Sequence, residues 1–108
     1  MWLHGDIVPG NLLIKNGLLH AVIDFGGMAV GDPACDLAIA WTFFDEKLRQ
    51  IFLDTINLDQ DTWYRGRGWA LWKALIICAK LPDTNNALID DSKRIIREIT
   101  NDYKKCLQ

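Results

Sequence analysis

In the stretch "NLLIKNGLLHAVID" two apolar runs flank Asn16-Gly17, and no other feature restricts the folding of the chain as tightly. Asn-Gly suits a tight two-residue turn because both positions accept positive φ, so residues 12–24 are read as an extended hairpin. Closing that hairpin has a consequence beyond the hairpin itself. The loop before its first strand and the loop after its second leave at the same end. The segments "HGDIVPGN" (4–11) and "IDFGG" (23–27) are thereby brought side by side.

From Asp32 onward the apolar period changes from two to that of a helix. Asp32-Pro33 predicts a helix start, with Asp32 as N-cap and Pro33 at the first helical position, running to about Phe44. A second helix, about Glu46 to Ile56, carries Leu48, Ile51, Phe52, Thr55 and Ile56 on one face. A third runs from Asp61-Thr62 to about Lys80. In its latter half only Lys73 and Lys80 are charged, so the rest is expected inside, Trp69 and Trp72 included. Gly66 and Gly68 weaken this helix, which points to close packing against a neighbour or to a break. "PDTNN" (82–86) reads as a loop. The last helix, about 87–106, has Leu88, Ile95, Ile99, Tyr103 and Cys106 as its apolar stripe. The expected class is α+β, mainly α. It is one domain over 1–108, with the loops and hairpin in 1–31 and about four helices in 32–108.

Bulk properties narrow the function. Of 108 residues 50% are hydrophobic and 24% charged, with a net charge of −2, enough for one core. A nucleic-acid binder needs a basic face to neutralise phosphates. The densest basic groups, Lys93-Arg94 and Lys104-Lys105, sit beside acids on helical stretches and read as solvated faces. Leu37 to Phe44, an uncharged run that no other in the sequence exceeds in length, is too short to span a bilayer. Met1-Trp2-Leu3-His4 has no basic segment followed by an apolar run, so no signal peptide is expected. Cys35, Cys78 and Cys106 are odd in number, with no C-x-x-C. They read as small core residues in a reduced, cytoplasmic compartment.

The two loops carry the chemistry. Asp6 and Asn11 lie before the hairpin and Asp24 directly after it. A carboxylate and an amide oxygen converging on one point make a Mg²⁺ site with open positions for phosphates. A second carboxylate can accept or orient a hydroxyl proton. Phosphoryl transfer needs this arrangement. The spacing D-x-x-x-x-N followed by D-F-G is the protein-kinase pair of motifs, with "HGD" in place of H-R-D. Taken singly, Asn11 would be a turn residue and His4 a structural histidine. His20, mid-strand, reads as solvent-facing, and Arg65 and Arg67 as exposed helix arginines.

The run "LHGDIVPGNLLI…AVIDFGGMAVGDPACDLAIAW" (3–41) resembles the catalytic segment of the aminoglycoside phosphotransferase family. "WYRGRGWALWKAL" (63–75) is similar to the helical part that follows in that family. The resemblance covers essentially the whole chain and implies the C-terminal part of the large lobe of a kinase-like fold. It implies ATP-dependent transfer of a phosphoryl group to a hydroxyl of a small molecule, with Mg²⁺ as cofactor. Carried over by position, Asp6 is the residue that positions or deprotonates the acceptor hydroxyl, and Asn11 and Asp24 are the Mg²⁺ ligands. His4 and Asp36 brace the catalytic loop. No G-x-G-x-x-G and no strand-borne V-A-I-K-like Lys stand in the sequence, so the ATP-binding N-lobe is expected to be absent and the chain alone inactive. A truncated gene product and a separate module both fit that expectation. A polycationic acceptor would call for carboxylates, and Asp59, Asp61, Asp83, Asp90 and Asp91 are available. Two other readings stay open: a catalytically silent binding or oligomerising domain, and a lobe completed by a separate partner chain. For the chain by itself, association as a homodimer or with the missing lobe is expected.

Overall fold

In the computed structural model, residues 1–79 and 85–107 are described. Their order is β1 (Trp2–Leu3), β2 (Leu12–Lys15), β3 (Leu18–Val22), β4 (Ala29–Val30), α1 (Ile39–Thr42), α2 (Glu46–Thr55), α3 (Gln60–Cys78) and α4 (Asn86–Cys106). Short 3-10 turns at Pro9–Asn11, Phe25–Gly27 and Pro33–Leu37 fill the loops between them. This is an α+β chain dominated by helix, as the sequence leads one to expect.

β2 and β3 form the antiparallel hairpin, with Leu12 opposite Val22 and Lys15 opposite Leu18. At the turn Asn16 has φ 55° and Gly17 φ 77°, the doubly left-handed geometry that matches strand twist. A register shift between Leu13 and Ile14 marks a bulge. The sequence gives no signal for a second ribbon, in which β1 pairs antiparallel with β4, Leu3 opposite Ala29. It ties the chain start to the segment that follows the second loop.

The helix expected from Asp32 to Phe44 is broken in two. Asp32 does cap it, its carboxylate accepting from the Ala34 N–H at 3.1 Å. The first turns are 3-10, however, and only Ile39–Thr42 is α-helical. Each later helix also starts on an acceptor side chain: Asp45 bonds the Leu48 N–H, Asp59 the Thr62 N–H and Asn85 the Leu88 N–H, satisfying orphan donors of the first turn. The expected end of the third helix at Lys80, and residues 82–84 of the expected loop, lie outside the described residues.

The core sits where α1, α3 and α4 meet. Trp41 is fully buried, with Trp63 tilted against it at 4.8 Å between ring centroids. Leu37, Ala70, Ala74, Ile95 and Ile99 fill the space around them. α3 can come this close because of Gly66. A Cβ there would lie 2.7 Å from Leu37 Cβ and 3.0 Å from the Ala34 carbonyl. Close packing, not a break, explains this glycine.

Three helix faces differ from the sequence reading. On α2 the inward residues are Arg49, Phe52, Leu53 and Ile56, while Leu48 and Ile51 are exposed. Arg49 belongs inside because it donates to the Ala40 carbonyl at 3.1 Å and to Glu98 at 2.6 Å. A buried guanidinium is tolerated once its donors are met, and hydrophobic periodicity cannot register that. On α4 the buried stripe is Ile89, Ser92, Ile95 and Ile99, whereas Leu88, Tyr103 and Cys106 are exposed. On α3 Trp69 and Trp72 are not core. They stack edge to face at 5.7 Å on the outside, because the small residues Gly66, Ala70 and Ala74 permit the close approach to the core and so claim the inner face with Thr62 and Trp63. Arg67 is likewise not an exposed arginine. It lies between the Tyr64 and Tyr103 rings and bonds Asp102 at 3.2 Å.

Candidate active site

The loop at 4–11 is held from three sides. Below it, the Asp36 carboxylate accepts from the His4 N–H at 2.7 Å and from the Gly5 N–H at 2.8 Å. Charge-assisted bonds of this kind are the stronger class. The turn Pro33–Leu37 supplies Asp36, so the start of the helical half fixes the start of the loop.

From within, the buried His4 ring joins both loops. Its Nδ1 accepts from the Asp6 N–H at 3.0 Å, which leaves the proton on Nε2, 2.9 Å from the Ile23 carbonyl. The tautomer is thus assigned by the two partners. Phe25 meets the ring edge-on at 4.6 Å. His4 therefore sets Asp6 on one side and the residue before Asp24 on the other.

At the far side the two loops touch through glycine. Gly5 has φ 91°, and a Cβ on it would fall 2.5 Å from the Gly27 carbonyl oxygen. Only a residue without a side chain allows that approach. The sequence reading passed over Gly5, although its place inside "HGD" was the available signal. The Ile23 carbonyl, too, is a participant that no motif marks, while Phe25 stands inside D-F-G without a role being read from it.

Asn11 closes the loop. Its Nδ2 donates to the Asp6 carbonyl at 2.9 Å and to the Asp6 carboxylate at 3.1 Å. With the amide nitrogen so engaged, Oδ1 is left as the free acceptor. The Ile23 N–H donates to the Asn11 carbonyl at 2.9 Å, which extends the hairpin ladder by one step and makes Asp24 the diagonal neighbour of Asn11. Asp24 itself sits in the left-handed region at φ 62°, ψ 68°. The hairpin thus gathers Asp6, Asn11 and Asp24 at one end, with Asp6 and Asn11 half-buried and Asp24 exposed.

The donor set suits a hard cation. An amide oxygen and a carboxylate are ligands that Mg²⁺ accepts while it keeps other positions for water and phosphate. No group of three or more His, Cys, Asp or Glu side chains converges among the described residues, so a cage closed by protein alone is not formed.

Elsewhere, the titration of Asp32 is shifted. The hydrogen bond from Arg65, followed by that from the Ala34 N–H, holds its carboxyl below the usual range. Burial, followed by the Asp36 charge, pushes the Cys35 thiol up, against a thiolate role. Cys35 and Cys78 are half-buried and Cys106 is exposed. His20 is exposed on β3. No helix among the described residues is long and apolar enough to cross a membrane.

Comparison with curated proteins and with solved structures gives no match. The profile of the APH phosphotransferase enzyme family matches residues 1–74, which takes in both loops, the hairpin and the helices through most of α3. With more than half of its length so matched, the chain belongs to the phosphotransferase enzyme family.

Proposed function

We propose that this chain is the C-terminal catalytic-lobe part of an ATP-dependent phosphotransferase acting on a hydroxyl of a small molecule in the cytoplasm. The observation that carries the reading is the bond pair from Asn11 Nδ2 to Asp6. It orients a general base and a metal-ligating amide with one another, next to Asp24. In this reading Asp6 aligns the acceptor hydroxyl and takes its proton as the oxygen attacks the terminal phosphorus. The bond from that phosphorus to the leaving ADP oxygen breaks in line with the attack. Mg²⁺, held by Asn11 Oδ1 and Asp24, would supply charge neutralisation at the phosphate oxygens. His4 and Asp36 act as positioning residues, through the bonds that fix the Asp6 backbone and the N–H groups before it.

No G-x-G-x-x-G and no strand-borne V-A-I-K-like Lys stand in the sequence to cover phosphates, so the isolated chain is expected to be inactive. Its Mg-ATP dissociation constant should be no better than roughly millimolar. A silent oligomerising domain is the second reading, favoured by the exposed apolar side chains of the hairpin, Ile14, Leu18 and Leu19 among them.

Mn²⁺ titration followed by amide NMR separates the two. Paramagnetic broadening should centre on Asn11 and Asp24 and vanish in Asp24→Ala. Broadening that is absent, or that persists in Asp24→Ala, would rule out the metal site and leave the silent domain.

A further inference from the structure

A cleft of about 640 Å³ opens between the catalytic loop and the helical half, with Val8, Pro9, Phe43, Lys73, Ile77 and Leu88 among its walls. Its volume falls in the range of small-molecule sites. Val8 and Pro9 follow Asp6 by two and three residues, so a molecule in the cleft lies along the loop that carries the base. The position of Leu88, exposed on α4 instead of buried in its stripe, also acquires a reason here: it faces the cleft.

The charges in the cleft are unevenly committed. Arg94 is occupied, with Nε 3.0 Å from Asp91 Oδ1 and Nη2 donating to the Thr42 carbonyl at 3.1 Å. Asp91 is thereby neutralised. Lys73 is half-buried in the wall, and the ion pairs among the described residues leave it out. A cation against apolar walls attracts an anion more strongly than one in open water. Two of the carboxylates that a polycation could use are committed elsewhere. Asp59 caps α3 through Thr62, and Asp91, the acidic side chain that lines the cleft among the described residues, is held by Arg94.

We propose that the cleft binds the phosphoryl acceptor, and that this acceptor is a hydroxylated small molecule with an apolar body and an acidic group that pairs with Lys73, not a polycationic amino sugar. The acceptor role rests on the phosphotransferase reading above; the chemical preference rests on the cleft alone. Lys73 is accordingly the specificity-determining residue.

The test is amide NMR on the full chain with three probes: 3-phenyllactate, 2-amino-1-phenylethanol and a polycationic aminoglycoside. 3-Phenyllactate at up to roughly 10 mM should shift Val8, Phe43, Lys73 and Leu88, while the two amines leave them in place. Lys73→Met keeps the aliphatic stem and should weaken 3-phenyllactate at least about tenfold, the loss expected for one charge-assisted contact. Lys73→Arg should restore it to within about threefold of the parent. No shift with 3-phenyllactate, equal affinity for either amine, or an unchanged Lys73→Met would overturn the inference. Mn²⁺ broadening on the same samples keeps the two readings apart. Broadening at Asn11 and Asp24 without 3-phenyllactate binding sinks the cleft proposal alone. The reverse result upholds the anionic preference of the cleft and removes its role as acceptor site.

Discussion

Asp24 occupies the left-handed region at φ 62°, where a residue with a Cβ is strained unless its surroundings insist. The insistence comes from both flanks. The Ile23 carbonyl is held by His4, and the turn Phe25–Gly27 closes through the Met28 N–H to the Phe25 carbonyl at 2.9 Å. The strain yields a sign. Asp24→Gly should relieve the strain and stabilise the fold by about 0.5–1 kcal/mol, while abolishing Mn²⁺ broadening at Asn11. Chemical denaturation and NMR on one sample measure both effects. A variant less stable than the parent would show that the Asp24 side chain supports the fold.

At the scale of elements, α3 offers a paired experiment. Ala is the better helix former by about 1 kcal/mol at either glycine, so propensity alone predicts equal gains. Packing separates the two. Gly66→Ala meets Leu37 Cβ and the Ala34 carbonyl and should destabilise by about 1–3 kcal/mol. Gly68→Ala meets nothing within 4 Å and should stabilise by about 0.5–1 kcal/mol. Urea midpoints moving the same way for both would contradict this docking of α3. The pair Asp32–Arg65, 2.7 Å apart, joins the same two elements. Because the Asp32 pKa is lowered by folding, its contribution is present above the unfolded carboxylate value of about 4 and is lost as pH falls through the folded value. The urea midpoints of the parent and Asp32→Asn should therefore differ at neutral pH and converge below about pH 3. The pair is exposed, so the gap is small and shrinks with salt. These elements also show what a sequence can disclose. The hairpin was legible because Asn16-Gly17 fixes a local geometry, and the grouping of Asp6, Asn11 and Asp24 follows from that turn. The faces of α2 and α3 were not legible, because they depend on distant partners. Glu98 makes Arg49 an inner residue, and Leu37 makes Gly66 the point of approach that turns Trp69 and Trp72 outward. The β1–β4 ribbon was hidden for the same reason, since two residues are too short to carry a period.

For the whole molecule the decisive fact is an asymmetry of burial. The helical half closes over Trp41, whereas on the hairpin side Leu18 is 73% exposed, Val30 65%, Ile14 64% and Leu19 59%. Scattered apolar residues on a surface are ordinary, but a contiguous patch above a few hundred Å² is seldom left in water. Val30 lies on the β1–β4 ribbon, whereas Ile14, Leu18 and Leu19 share one short hairpin. Its two strands have no further sheet neighbour among the described residues, and an isolated two-stranded hairpin is marginal in water. Association through that face would bury the patch and extend the sheet at once. A two-fold arrangement does both with one surface. Light scattering on the chain should accordingly give a mass near twice 12.3 kDa at micromolar concentrations and above. Placing a charge on the face, as in Leu19→Lys, should return it to the monomer. Ile14 and Leu19 are opposed across the ribbon, so Ile14→Lys should act alike, and the two changes together should add little to either. A parent chain that stays monomeric at every concentration tested would show that the hairpin face needs no cover, and would remove the observation on which the oligomerising-domain reading stands.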